Sequence, residues 1–400
     1  MAESGVRPQP RRRFAQVLAL VGAMVLAGCS TVVPRGPMLP DAPPVAQPPP
    51  AAPRPVGPGI PEDSERHRVA LLVPISGTNA GVGRSLANAT QLALLDTRSE
   101  RVRITTYDTA TGAAAAAARA IEDGNRLILG PLLAEDARAV APIARRAGVP
   151  VLSFSNDAGL AGDGTFVMGY SPAQSIARVV DHARRSGVTS FAGLMPMGLY
   201  GERASTAFLR AVEGAGGQVT TIQTYDRSPG AIAGAVARMG RASPYQAVLI
   251  ADSGATAGAV APLLRRGGGA GARLLGTELW NSDSSIGAKP ALNGAWFASV
   301  PDAFYRQYAT KYRTRFGAAP FRLSSLGYDA VLLTVRIARD WPVGDAFPEA
   351  KLNDRDGFSG LDGAFRFGRD NVAERALEVQ EIRGGTTVTV SPAPTGFGTR

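Results

Sequence analysis

The sequence predicts an α/β protein built as two doubly wound parallel-sheet lobes, joined by a hinge and facing each other across an interlobe cleft. Three observations carry this expectation. Eight short apolar or β-branched runs alternate with alanine-rich stretches of helical period, the rhythm of parallel sheets covered by helices on both faces. These units are too many for one sheet of ordinary size. A break at Tyr170-Ser171-Pro172 separates a first series from a second.

In chain order, residues 1–28 read as a signal peptide. Arg7, Arg11, Arg12 and Arg13 form a basic n-region, Phe14 to Ala27 an apolar stretch, and small residues follow. Fourteen residues of helix span only about 21 Å, short of a ~30 Å bilayer core, so a permanent membrane span is the weaker reading. The stretch Leu26-Ala27-Gly28-Cys29-Ser30 has the pattern of a bacterial lipobox, and Cys29 is the chain's only cysteine. Its thiol would carry the lipid as a thioether, and several acyl chains would anchor the protein stably. The lipobox resemblance implies, from Ser30 rather than an aspartate after the cysteine, the outer membrane over retention at the inner one. Residues 29–66 then form a disordered tether, since Pro34 to Pro61 holds 12 prolines in 28 residues. In extended polyproline conformation that stretch would reach roughly 85 Å. The expected location is the periplasmic face of the envelope.

The folded domain is expected over 67–390, with 391–400 a disordered tail. Strands are predicted at Val69–Val73, Val102–Tyr107, Leu127–Leu129, Val149–Ser153, Ser190–Leu194, Gln218–Thr224, Ala247–Ala251 and Arg273–Leu275. Val82, Leu86, Ala89, Leu92 and Ala93 recur at three and four residues and share one helical face.

Composition narrows the function. Hydrophobic residues make up 45% of the chain and charged residues 19%, which supports a sizeable core and excludes disorder throughout. The net charge is +10, yet 40 of the 43 basic residues are arginines dispersed along the chain, the only tight run being Arg11-Arg12-Arg13 at the N-terminus. Neither the clustering nor the interleaved aromatics of a nucleic-acid surface is present in the sequence. One cysteine and two histidines, His67 and His182, make no plausible zinc site and no internal disulfide. No metal or cofactor is expected.

Ligands of open α/β sheets bind beyond the carboxyl ends of the strands. In the first series those ends carry Ser76 in Pro74-Ile75-Ser76-Gly77, then Gly130-Pro131-Leu132, then Ser153-Phe154-Ser155-Asn156-Asp157. These loops offer hydroxyls and backbone amides to an anion. Asn79 stands where it would cap the first helix. In the second series Tyr200, Asp252 and Glu278 stand at the matching places and would hold an ammonium group by charge and cation–π contact. Ser76, Pro131, Leu132, Ser153, Ser155, Asn156, Tyr200, Asp252 and Glu278 are the candidate ligand contacts. Each also has a bland reading, as good turn chemistry, as packing for Tyr200, or as a helix cap for Asp252. Enzyme signatures are absent: the sequence has no phosphate loop, no H-E-x-x-H and no G-x-S-x-G elbow. His182, beside Asp181 and Arg184, reads as a solvated helical residue. A non-enzymatic protein is expected.

The order of several stretches resembles the type I periplasmic solute-binding fold of the leucine/isoleucine/valine receptor family over roughly residues 68–390. They are Val69 to Gly77, Tyr107-Asp108-Thr109, Ile128-Leu129-Gly130-Pro131-Leu132, Ala147 to Asn156, Tyr200-Gly201 and Gly327-Tyr328-Asp329-Ala330. The resemblance implies three crossings between lobes, with lobe one at 68–170 plus 298–345 and lobe two at 171–297 plus 346–390. It implies hinge closure on a ligand, with carboxylate contacts at Pro131-Leu132 and Ser153 to Ser155, and aromatic and acidic contacts at Tyr200 and Glu278. Proline has no amide proton and leucine no hydroxyl, so the Pro131-Leu132 anchor is weakened. Within this fold the loops at Gly130 and Phe154, with Gly357-Phe358-Ser359-Gly360-Leu361-Asp362-Gly363-Ala364-Phe365-Arg366-Phe367, are similar to those of the penicillin-binding protein activators. That branch implies docking on a peptidoglycan synthase. The receptor reading implies instead an ABC permease and a small polar solute such as an amino acid. The better-known activators carry a helical-repeat domain where this chain has its proline stalk.

Overall fold

Strand β1 (His67–Val73) organises the first lobe because its apolar residues serve two cores. Val69, Leu71 and Val73 face one side and Ala70 and Leu72 the other, all fully buried. Such double burial marks a central strand of a parallel sheet. Helix α1 (Ala80–Thr97) follows, then β2 (Val102–Asp108), α2 (Ala113–Glu122), β3 (Ile128–Leu129), α3 (Ala134–Arg146), β4 (Val151–Ser153) and β5 (Thr165–Val167). The sheet order is β2-β1-β3-β4-β5, all parallel, with β1 and β2 in register from His67↔Val102 to Val73↔Asp108. Leu86, Ala89, Leu92 and Ala93 of α1 pack on the Val69 face, with Val82 half-buried at the rim, while Ala117, Ala120, Val140 and Ala144 from α2 and α3 cover the other. This computed structural model describes residues 65–397 apart from 227 and 243.

The second lobe repeats the scheme with α4 (Pro172–Arg185), β6 (Ser190–Pro196), α5 (Leu199–Gly214), β7 (Gln218–Tyr225), α6 (Pro229–Met239), β8 (Ala247–Ile250), α7 (Gly254–Arg266), β9 (Arg273–Gly276) and β10 (Trp296–Ser299). The chain then returns to the first lobe as α8 (Ala303–Phe316) and α9 (Ser324–Ile337). Helix α9 lies tightly on α1 because Gly327 has no side chain; a Cβ there would stand 3.0 Å from the Leu86 carbonyl oxygen. A small antiparallel sheet follows, β11 (Phe358–Gly360), β12 (Gly363–Phe367) and β13 (Ala373–Arg375). The last strands, β14 (Glu378–Arg383) and β15 (Thr386–Ser391), complete the second lobe's sheet in the order β15-β14-β10-β9-β8-β6-β7. β14 runs antiparallel to β10.

All eight predicted strands are present, with ends shifted by at most two residues. The lobe boundaries differ from those the resemblance implies. Phe347, Leu352, Phe358, Phe365, Phe367 and Ala373 are buried in the same core as Val69 and Leu71, so 347–375 packs on the first lobe and not the second. Burial of these aromatics outweighs simple continuity with β14. Ala298 and Ser299, expected in lobe one, are paired in the second sheet. Strand pairing runs to Ser391, and of the expected tail residues through 397 are described, with the Phe397 ring 4.6 Å from the Arg366 guanidinium. Residues 1–64, including the predicted signal, Cys29 and the proline stalk, lie outside the described residues.

Candidate functional site

Three segments cross between the lobes, after β5, after β10 and after β13, and they converge on a buried polar network. Asp362, between β11 and β12, has no solvent exposure. Its carboxylate accepts from Arg322 Nη1 (2.8 Å), Ser325 Oγ (2.8 Å) and the Tyr170 hydroxyl (2.6 Å). Arg322 also stacks 4.1 Å over the Tyr305 ring. Burial alone would raise Asp362, but the Arg322 and Arg375 charges hold its carboxyl below the usual range. Asp329 on α9 is equally buried and accepts from the Leu361 (2.6 Å) and Asp362 (3.4 Å) amides. Burial, then the Asp362 charge, push it up to about 7. Gly360 permits this approach, since a Cβ there would lie 2.3 Å from the Asp329 carboxyl.

On the second-lobe side, Glu278 follows β9 and Tyr200 lies in the first turn of α5. The Tyr200 hydroxyl donates to Glu278 Oε1 (2.9 Å) and pairs with Thr277 Oγ1 (3.0 Å), while Ser175 of α4 donates to the other Glu278 oxygen. Burial raises the Glu278 carboxyl against these hydrogen bonds. Burial, followed by the Glu278 charge, raises the Tyr200 phenol well above its ordinary value. Glu278, Ser175, Gln174, Tyr170, Arg322 and Arg375 line a narrow, partly open cavity of about 20 Å³ between the lobes. A water needs roughly 10–15 Å³ on this measure, so the cavity fits a single small group.

The loops nominated in the first lobe are turned inward on themselves. Ser76 is exposed, and its hydroxyl donates to Asp108 Oδ2 (2.6 Å), while Asp108 Oδ1 accepts from the Ile75 amide (3.0 Å). Ser153 Oγ donates to the Pro131 carbonyl (3.1 Å) and accepts from the Ser155 amide; Ser155 Oγ accepts from the Asp157 amide (3.1 Å). Leu132 packs on the first lobe's core and Asn156 is exposed. Asp252 is buried and receives the Tyr225 hydroxyl (2.8 Å) and the Ser253 amide (2.6 Å). Ser253 is the residue that caps α7, accepting from the Thr256 amide, and Asn79 makes no side-chain cap on α1. Of the nine candidates, only Glu278 lines the hinge cavity, and Tyr200 reaches it through Glu278.

Sequence reasoning missed Arg322, Arg375, Asp362 and Asp329. The signal was available for the acids, which sit inside otherwise apolar or glycine-flanked stretches, Gly327-Tyr328-Asp329-Ala330 and Leu361-Asp362-Gly363. It also passed over Asp157, 2% exposed, whose carboxylate bridges the lobes: it pairs with Arg138 of α3 and, at 2.6 Å, with Arg203 of α5. His182 is half-buried, its ring 4.7 Å from that of Trp296. Among the described residues no cluster of His, Cys, Asp or Glu is arranged to hold a metal ion, and no helix is long and apolar enough to cross a membrane.

Residues 67–386 match the family described as periplasmic binding protein. Among solved structures the chain is similar to the leucine-binding protein LivK of Thermotoga maritima, with 19% identity, TM-score 0.63, and coverage of 82% of this chain and 98% of that one. It is similar also to a branched-chain amino acid ABC transporter ligand-binding protein of Burkholderia xenovorans, with 16% identity, TM-score 0.69, and coverage of 82% and 96%. LpoA of Haemophilus influenzae aligns at 20% identity and TM-score 0.64, over 82% of this chain and 60% of that one. A curated relative, the uncharacterized protein RP748 of Rickettsia prowazekii, is 24% identical over 181 residues, 44% of this chain; the match spans about half of that relative's length, 47%. At these identities the structural likeness establishes the fold.

Proposed function

The chain belongs to the periplasmic binding protein family, and from that premise we propose that it is a non-enzymatic, lipid-anchored envelope protein that docks on a peptidoglycan synthase and regulates it, as a penicillin-binding protein activator. One observation carries the reading. The groups that would grip a free amino acid are bonded within the protein itself: Glu278 is capped by Ser175 and Tyr200, Ser153 donates to the Pro131 carbonyl, and Ser155 accepts from the Asp157 amide of its own loop. A receptor needs such groups unspent and a cleft of several hundred Å³. The resemblance of the Gly130, Phe154 and Gly357–Phe367 stretches to the activators supports the same reading, as does the fold shared with LpoA. So do the large apolar side chains left in solvent, Met197 (67% exposed) and Leu199 (51%) at the entry to α5.

A second reading, the solute receptor of an ABC importer, is favoured by the meeting of Tyr200 with Glu278 at the cleft and by structural neighbours of that kind. Thermal unfolding with a panel of free amino acids, short peptides and peptidoglycan fragments, at fixed ionic strength, separates the two. The docking reading expects no shift with free amino acids. A receptor at about 100 times its Kd would gain roughly 2.7 kcal/mol, and a dose-dependent rise with one solute class would replace the first reading by the second. In that case the paired substitution Tyr200→Ala and Glu278→Ala abolishes the shift.

A further inference from the structure

The methionines among the described residues divide sharply by exposure. Met168, Met195 and Met239 have no solvent exposure, whereas Met197 is 67% exposed. Methionine normally fills irregular gaps in a core, where its thioether is sheltered. Met195 makes the contrast local: it lies two residues earlier, in β6, and is buried with Phe191, Ala204 and Phe208 in a core of the second lobe. The chain's one cysteine is Cys29, so among the described residues methionine carries the only sulfur.

The backbone explains why Met197 stays out. Strand β6 ends at Pro196, which pairs with Tyr225 of β7, and the Met197 amide donates to the Tyr225 carbonyl (2.7 Å). The residue is thereby pinned to the end of a sheet. The chain then turns through Gly198, at φ +101°, directly into α5. The turn is tight, since a Cβ at Gly201 would run into the Pro196 carbonyl oxygen, and its outer side is open, since a Cβ at Gly198 would meet nothing within 4 Å. The elbow holds the Met197 side chain largely in solvent, two residues from Leu199, which is 51% exposed. Of the two, only the thioether is open to oxidation, which makes a flexible apolar side chain polar, disrupts methionine-bearing interfaces and is reversed by reductases.

We propose that Met197 is a site of reversible oxidation by peroxides, and that its sulfoxide switches off docking at this surface. The consequence rests on the docking reading above; the modification itself does not. In the step, the sulfur lone pair attacks one peroxide oxygen, and the S–O bond forms as the O–O bond breaks. The sulfur loses two electrons to the peroxide, and the proton of the transferred hydroxyl leaves with the departing hydroxide as water. Because the side chain is already in solvent, the sulfoxide costs the fold no buried contact, and the change is confined to what the surface can bind.

The test treats the purified protein with hydrogen peroxide, removes the peroxide with catalase and follows tryptic peptides by tandem mass spectrometry. Met195 and Met197 share the peptide Ser186–Arg203, so fragment ions compare them under identical treatment. Met197 is expected to gain one oxygen at least about tenfold faster than Met195, Met168 or Met239. Equal rates overturn the site. The consequence is read on glycan polymerisation by a purified bifunctional penicillin-binding protein, added after the peroxide is gone. Oxidised wild type should lose its stimulation and regain it with methionine sulfoxide reductase and dithiothreitol. Met197→Leu should keep stimulation through the same treatment, and Met197→Gln, polar from the start, should lack it untreated while unfolding at the wild-type midpoint. Full stimulation by the oxidised wild type, or an equal loss in treated Met197→Leu, overturns the switch. Untreated wild type that stimulates no cognate synthase removes the docking reading and the switch with it, while the oxidation rates still decide the modification.

Discussion

Asp329 and Asp362 sit in one network, yet their surroundings drive them in opposite directions. Asp329, pushed up to about 7, binds its proton more tightly folded than unfolded. Its contribution to stability is therefore complete below the unfolded value near 3.9 and falls as pH rises towards 7. Stability of the wild type relative to Asp329→Asn should decline between about pH 4 and 7 and level off above, as followed by urea unfolding; a flat difference would contradict the assignment. Asp362, held low by arginine charge, acts the other way, and its contribution is lost only as pH falls below the ordinary carboxylate range. Removing one partner of a buried pair strands the other charge, so Asp362→Ala should cost roughly 3–5 kcal/mol. The sequence made Tyr200 and Glu278 legible because each follows a strand, where open sheets bind ligands. It hid Arg322 and Arg375 because long cationic side chains are ordinarily surface residues, and only the meeting of three distant crossings buries them.

Among the elements, β1–β4 and β6–β9 were readable because short apolar or β-branched runs between turn residues leave little choice, whereas β5 was not expected. β11–β13 were not, since strands of three to five residues carry too short a pattern, and their lobe is decided by which core accepts Phe358, Phe365 and Phe367. Phe365 is 1% exposed against the first lobe's core, so Phe365→Ala should lose about 3–5 kcal/mol by urea unfolding. A loss under 1 kcal/mol would remove 347–375 from that core. The ionic bridge between α3, the β4 loop and α5 was equally invisible, because nothing local in Arg138, Asp157 or Arg203 announces a partner in the other lobe. If that bridge holds the lobes together, Arg203→Ala should raise the radius of gyration in small-angle scattering while leaving helix content unchanged. An unchanged radius would mean that the hinge network alone sets the closure.

At the scale of the whole molecule, the docking role proposed above would be exercised on the outer surface, since the cleft carboxylate Glu278 and the first-lobe serines are bonded within the protein. Met197, the most exposed of the large apolar side chains among the described residues, stands two residues from Leu199 on that surface. Replacing both by glutamate should weaken docking at least tenfold while shifting the unfolding midpoint little, because neither side chain is buried. The most direct test of the account is reconstitution: the rate of glycan polymerisation by a purified bifunctional penicillin-binding protein, measured with and without this protein at equal concentration. The account predicts a faster rate that the Met197→Glu, Leu199→Glu pair abolishes. An unchanged rate across the cognate synthases, in a protein that binds a free amino acid saturably, would contradict it and leave a solute receptor in its place.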